Sequence, residues 1–252
     1  MAAGAGPDVL CLVHPVGGDI QAYRPLVAAL PDELTVCLIA DPKLRDPAQP
    51  ARSITDRAAH YLDAVRAAFP DPNVRLSLAG WSFGAWTALS MAARAEADGR
   101  PVEAVHLLDP PPPGSGQRLA AYDDQQVDAV FARELSGNGG GDGRLSESGR
   151  AYAERLADCC RTNLAAMAEH RLPRLDRTPA EVWIAERAVE EGVLGPESTG
   201  TDAWDAHLTH PFRLHHVDAN HYELVAEPHV QAIADVLAAG ERVASPQSAG
   251  RT

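Results

Sequence analysis

Apolar residues in this chain gather into short, nearly unbroken runs, separated by longer stretches where they recur every three or four positions. The runs at residues 9–14, 35–40, 74–79, 102–108, 181–185 and 212–217 have strand length and favour Val, Leu and Ile. Unbroken apolarity is what a strand needs when both of its faces are covered, as in a parallel sheet. Between the runs lie helical patterns. Ile54, Ala58, Tyr61, Leu62, Val65 and Phe69 line one stripe, opened by Ser53 as N-cap and closed by Pro70. Trp86, Leu89 and Ala93 mark a second helix after residues 80–84. Val230, Ile233, Ala234 and Leu237 mark a third, with Pro228 near its first turn and His229 inside it. This alternation predicts an α/β fold: a mostly parallel central sheet with helices on both faces.

The rhythm breaks once. Residues 110–178 hold no convincing strand, only a proline run (110–113), helical stretches near 123–135 and 150–170, and a glycine-rich break at 137–143. We read 110–178 as a helical lid inserted into a core made of residues 1–109 and 179–243, with 244–252 as a disordered tail.

Composition narrows the function classes. At 252 residues, 45% apolar and 23% charged, the chain can bury a core without disulfides or metal. The net charge is −13, and Lys43 is the only lysine, which argues against nucleic acid or an anionic membrane as partner. Cys11 and Cys37 lie in strand runs, Cys159 and Cys160 in a helical stretch, and no CxxC spacing suggests zinc or redox chemistry. The histidines between His207 and His229 lack ligand spacing, so no metal or other cofactor is expected. The first residues carry no positive charge and no sustained apolar run, and no run approaches the ~18 residues of a membrane span. The expected location is cytoplasmic.

The sharpest chemical signal is Gly80-Trp81-Ser82-Phe83-Gly84, between a strand run and a helical pattern. A tight strand-to-helix turn projects the Ser82 hydroxyl from the sheet edge, and the flanking glycines relieve crowding there. A serine nucleophile needs a base, and the base an orienting acid. His221 is the candidate base, in a short turn-rich loop (Asp218-Ala219-Asn220-His221) directly after the last strand run. Two carboxylates compete as acid. Asp109 ends the run next to the Ser82 strand and is followed by four prolines that stiffen the exit; Glu186 ends the next core strand. An oxyanion hole requires two backbone N–H donors: Phe83, after the nucleophile, and Val16, in the loop His14-Pro15-Val16-Gly17-Gly18. That loop lacks GxGxxG and the Walker lysine, so a phosphate site is not expected.

Taken together, the His14–Gly18 loop, Tyr23-Arg24-Pro25-Leu26, GWSFGA at residues 80–85, Leu107-Leu108-Asp109 and NHYELV at 220–225 resemble one family over nearly the whole chain. It is that of the α/β-hydrolase thioesterases that end nonribosomal peptide and polyketide assembly lines. Trp81 before the serine resembles the peptide branch more than the polyketide branch, whose elbow usually carries histidine. The resemblance implies an α/β-hydrolase fold with a helical lid inserted after the sixth strand. It also implies that Asp109 is the acid, as in release domains. The implied activity is thioester cleavage through an acyl-Ser82 intermediate, on an acyl or peptidyl chain carried by the phosphopantetheine arm of a carrier protein. With a charge of −13, docking to such a carrier is expected to rest on local arginines. The residues leave open a free-standing esterase or lipase-like serine hydrolase, an editing (type II) thioesterase, and a non-catalytic hydrolase-fold binding protein. Thioester against oxygen-ester substrates separates the first, and labelling of Ser82 by a serine-directed phosphonate excludes the last.

Overall fold

The computed structural model describes residues 8–127, 147–187 and 202–239. Its six strands are β1 (Asp8–Val13), β2 (Thr35–Ile39), β3 (Arg75–Trp81), β4 (Ala104–Leu108), β5 (Ala180–Ala185) and β6 (Phe212–Val217). They form one sheet in the order β2-β1-β3-β4-β5-β6, and every neighbouring pair is parallel. All six expected runs are strands, with ends shifted by no more than two residues. The chain moves outward from β1 to β2 and then crosses back to β3. The gap between the carboxyl ends of β1 and β3 is therefore the switch point where open α/β sheets place their ligands.

The helices are α1 (Arg24–Ala29), α2 (Pro42–Arg45), α3 (Ile54–Ala68), α4 (Phe83–Ala97), α5 (Gly116–Leu119), α6 (Glu147–Glu169), α7 (Asp202–Asp205) and α8 (Val230–Ala239). Ser53 caps α3 as its spacing predicts, accepting the Asp56 N–H at 3.1 Å. His229, expected inside the last helix, lies in the turn before it, because α8 begins at Val230.

Each sheet face has its own core. On one face α3 and α4 bury Tyr61, Leu62, Val65, Trp86, Leu89 and Met91 against Val13, Leu78 and Val105. On the other, α1 and α8 bury Leu26, Val230, Ile233 and Leu237 against Leu10, Leu12 and Trp183.

The segment between β4 and β5 leaves the sheet after the fourth strand in chain order, not the sixth as expected, because only three strands precede β4. Its long helix α6 covers the expected stretch, and Leu156, Cys160, Leu164 and Met167 join the α3–α4 core. Of the helix expected near 123–135, residues 124–127 are helical, Asp123 is not, and residues 128–135 lie outside the described residues. The glycine-rich break at 137–143 and the tail at 244–252 also lie outside them. Among the described residues, no helix is long and apolar enough to cross a membrane.

Candidate active site

The elbow is built by steric necessity. Ser82 joins β3 to α4 with φ 57° and ψ −124°, a conformation that costs a non-glycine residue about 1–3 kcal/mol. It is enforced by close backbone approach. A Cβ on Gly80 would lie 2.1 Å from the Gly84 carbonyl oxygen, and one on Gly84 would lie 2.4 Å from the Val13 carbonyl oxygen. The Ser82 N–H donates to the Leu108 carbonyl at 2.9 Å, which ties the turn to the end of β4.

Asp109 follows β4 directly, is 4% exposed and has φ 41°, in the region that Asp and Asn enter most readily among non-glycine residues. Three contacts hold it. Its N–H donates to the Trp183 carbonyl at 2.8 Å, its Oδ1 accepts the Ala185 N–H at 2.9 Å, and its Oδ2 accepts the His221 Nδ1–H at 2.6 Å. With Nδ1 carrying that hydrogen, Nε2 is the nitrogen left to accept a proton. The proline run ties in as well, through Trp86 Nε1–H to the Pro111 carbonyl at 2.8 Å.

His221 is buried in a loop that is itself fixed. The Asn220 side-chain carbonyl accepts the Tyr222 and Glu223 N–H groups, each at 3.0 Å. The Trp81 ring lies 4.7 Å from the imidazole, and its Nε1–H donates to the His221 carbonyl at 3.1 Å. The residue preceding Ser82 thus braces the histidine. Glu186, the rival acid, is half-exposed and pairs with the His216 Nδ1 at 3.2 Å. The structure brings Asp109, not Glu186, to His221.

Both expected oxyanion donors are at the switch point. Phe83 is the first residue of α4, where a backbone N–H has no partner within the helix and the dipole favours negative charge. Val16 sits in a turn closed by the Gly18 N–H to the Pro15 carbonyl at 3.0 Å. The sequence reading assigned Tyr23 no role. Its buried hydroxyl donates to the Val13 carbonyl at 2.6 Å and accepts the Trp81 N–H at 2.7 Å, riveting β1 to β3 just before Ser82. Burial pushes this hydroxyl well above the usual phenol range. Among the described residues, no group of three or more His, Cys, Asp or Glu side chains is placed to hold a metal.

Comparison with known proteins supplies the family. The profile of the thioesterase domain family matches residues 8–239, almost the entire chain. The chain belongs to the thioesterase domain family. Among curated proteins, the thioesterase domain is 33% identical over 91 residues to the nonribosomal peptide synthetase agiA of Aspergillus flavus. It is 32% identical over 135 residues to the malpinin synthetase of Mortierella alpina. These stretches cover 36% and 54% of this chain but only 1% and 2% of those synthetases.

Among solved structures it superposes on the NocB thioesterase domain of the nocardicin cluster with a TM-score of 0.66 at 22% identity, covering 92% of each chain. The type II thioesterase BorB of the borrelidin cluster gives 0.67 at 24% identity, over 95% of this chain and 94% of that one. The four-domain nonribosomal peptide synthetase AB3403 gives 0.76 at 19% identity, over 93% of this chain and 19% of that one. At such identities the likeness carries the fold, which is the α/β-hydrolase fold of these thioesterases.

Proposed function

We propose that the thioesterase domain releases an acyl or peptidyl chain from the phosphopantetheine arm of a carrier protein through an acyl-Ser82 ester. The observation that carries this reading is the His221–Asp109 pair, 2.6 Å apart and buried, braced by the residue next to a strained Ser82.

In the proposed cycle, Ser82 Oγ attacks the thioester carbonyl carbon while its proton passes to His221 Nε2. Asp109 holds the imidazole in the accepting tautomer and stabilises the imidazolium that forms. The negative charge on the carbonyl oxygen is met by the Phe83 and Val16 N–H groups. Collapse breaks the carbon–sulfur bond, and the leaving thiolate takes the proton from His221. Water, or a hydroxyl or amine of the chain itself, then attacks the ester and gives its proton to His221. Collapse of this second intermediate returns that proton to Ser82 Oγ. No cofactor is required, and no metal enters any step.

The test uses synthetic pantetheine thioesters of varied chain length, with mass spectrometry of protein and product. The expected result is an acyl adduct on Ser82, with Ser82→Ala losing both adduct and turnover. Turnover by Ser82→Ala at the wild-type rate would overturn the proposal.

A further inference from the structure

His14 is fully buried at the carboxyl end of β1, yet no step of the proposed cycle uses its ring. Its Nδ1 lies 2.8 Å from the carbonyl oxygen of Pro15, the next residue. A carbonyl can only accept, so Nδ1 carries the hydrogen. Nε2 must then accept, and the Tyr61 hydroxyl stands 2.9 Å away to donate. Tyr61 in turn accepts from Arg57 Nη1 at 3.2 Å.

Arg57 is 2% exposed and held on both sides. Nη1 pairs with Asp41 Oδ2 at 2.7 Å, and Nη2 donates to Asn163 Oδ1 at 2.8 Å. Burial alone would raise the Asp41 carboxyl; the Arg57 guanidinium beside it holds it below the ordinary value. The Asn163 amide completes the circuit, because its Nδ2 donates to the Val16 carbonyl at 2.8 Å.

Two consecutive carbonyls, Pro15 and Val16, therefore end in one buried network. In a trans peptide the C=O and N–H point in opposite directions. Gripping the Pro15 carbonyl, from His14 Nδ1–H on one side and the Gly18 N–H on the other, aims the Val16 N–H the opposite way. The His14 ring also stacks on Phe83, centroids 5.6 Å apart and 20° from coplanar, so it contacts Phe83 as well as the carbonyl of the Pro15–Val16 peptide.

We infer that His14 is a positioning residue for the oxyanion hole, clamping the Pro15–Val16 peptide, with Asn163 of the inserted helix fixing the next carbonyl. The inference rests on the acyl-Ser82 reading. Neither side chain touches substrate; each acts through the peptide it holds. Helix α6 is tied to the same loop again through the Tyr152 hydroxyl, which donates to the Asp19 carboxylate.

The test compares kcat and KM for thiol release from a pantetheine thioester in His14→Leu, His14→Asn and Asn163→Ala. A misaimed oxyanion donor weakens only transition-state binding. Accordingly His14→Leu should lose about 10–100-fold in kcat with KM within about twofold, and Asn163→Ala about 3–10-fold. Asparagine places an amide N–H near the position of Nδ1, so His14→Asn should restore kcat to within about fivefold of wild type.

Nitrogen-15 NMR of the wild-type histidines supplies a readout that needs no variant to fold. His14 should appear as the neutral Nδ1–H tautomer at pH 7. An Nε2–H tautomer, or a kcat within twofold of wild type in His14→Leu, would overturn the inference. Were Ser82→Ala inactive and His14→Leu unimpaired, the positioning role alone would fail. Were Ser82→Ala active, the acyl-enzyme reading itself would fail.

Discussion

Substituting Asp109 by asparagine exchanges one oxygen for an NH2 group, and the surroundings dictate which way the new amide turns. The Ala185 N–H points at Oδ1 from 2.9 Å and needs an acceptor, so the amide oxygen should stay there and the NH2 should face His221. A donor opposite Nδ1 forces the imidazole into the Nε2–H tautomer, which cannot take the Ser82 proton. Turning the amide over would leave the buried Ala185 N–H unsatisfied at about 1–3 kcal/mol, so the competent tautomer falls to a fraction of about 10⁻¹ to 10⁻². Losing the anionic partner of the imidazolium removes about another 10- to 100-fold.

The expected fall in kcat is thus about 10²–10⁴-fold. The change in stability should be about 1 kcal/mol or less, because asparagine tolerates the φ of 41° here and keeps the 109–185 hydrogen bond. Thiol release under saturating pantetheine thioester, paired with urea denaturation, measures both quantities. Asp109→Ala is the poorer probe, since alanine at positive φ adds strain of its own. An Asp109→Asn protein that folds and retains more than a tenth of wild-type kcat would refute the reasoning.

Three further outcomes follow from the same geometry. Gly84→Ala should lower stability by about 1–3 kcal/mol and depress kcat with it, because the new Cβ meets the backbone carbonyls of Val13 and His14, which cannot swing aside; an unchanged urea midpoint would contradict this. Glu186→Gln should leave kcat within about twofold, its His216 contact being an exposed pair; a loss of tenfold or more in a thiol-release assay would return Glu186 to contention. Burial, aided by the Arg57 charge at His14 and the His215 charge at His106, lowers both histidines to about 4. The unfolded chain binds their protons from about pH 6.5 and the native one only near 4, so stability should be full above 6.5 and fall on acidification. The slope should be about 1.4 kcal/mol per pH unit for each group, and urea midpoints that stay level between pH 7.5 and 5 would exclude it.

The sheet was legible because strands covered on both faces must be unbroken apolar runs, and β1 to β6 are. Ser82, His221 and Asp109 were legible because each sits at the carboxyl end of a readable strand, where a parallel sheet gathers its loops. Short helices such as α2 (Pro42–Arg45) were not, since four residues carry no period. The buried network was hidden for a different reason. Arg57 falls within the α3 stripe as a charged residue, and nothing local shows that it is buried. Its partners Asp41 and Asn163 lie 16 and 106 positions away, and Asn163 is brought in only by the docking of α6. Tyr61 fits the apolar stripe by its ring, and no local pattern shows that its hydroxyl meets His14 and Arg57.

The anchoring of α6 sets a boundary for exchanging substrate preference between relatives. Its later turns hold Asp158, paired with Lys43 at 3.0 Å, then Thr162 and Asn163. A chimera that swapped residues 110–178 whole would remove a support of the Val16 loop along with everything else in the segment. Grafts that keep α6 from Tyr152 onward and replace only what precedes it should leave the rate intact, as thiol release by the chimera would show. The segment between β4 and β5 is therefore not one interchangeable module: its C-terminal part, from Tyr152 onward, belongs with the loop that it holds.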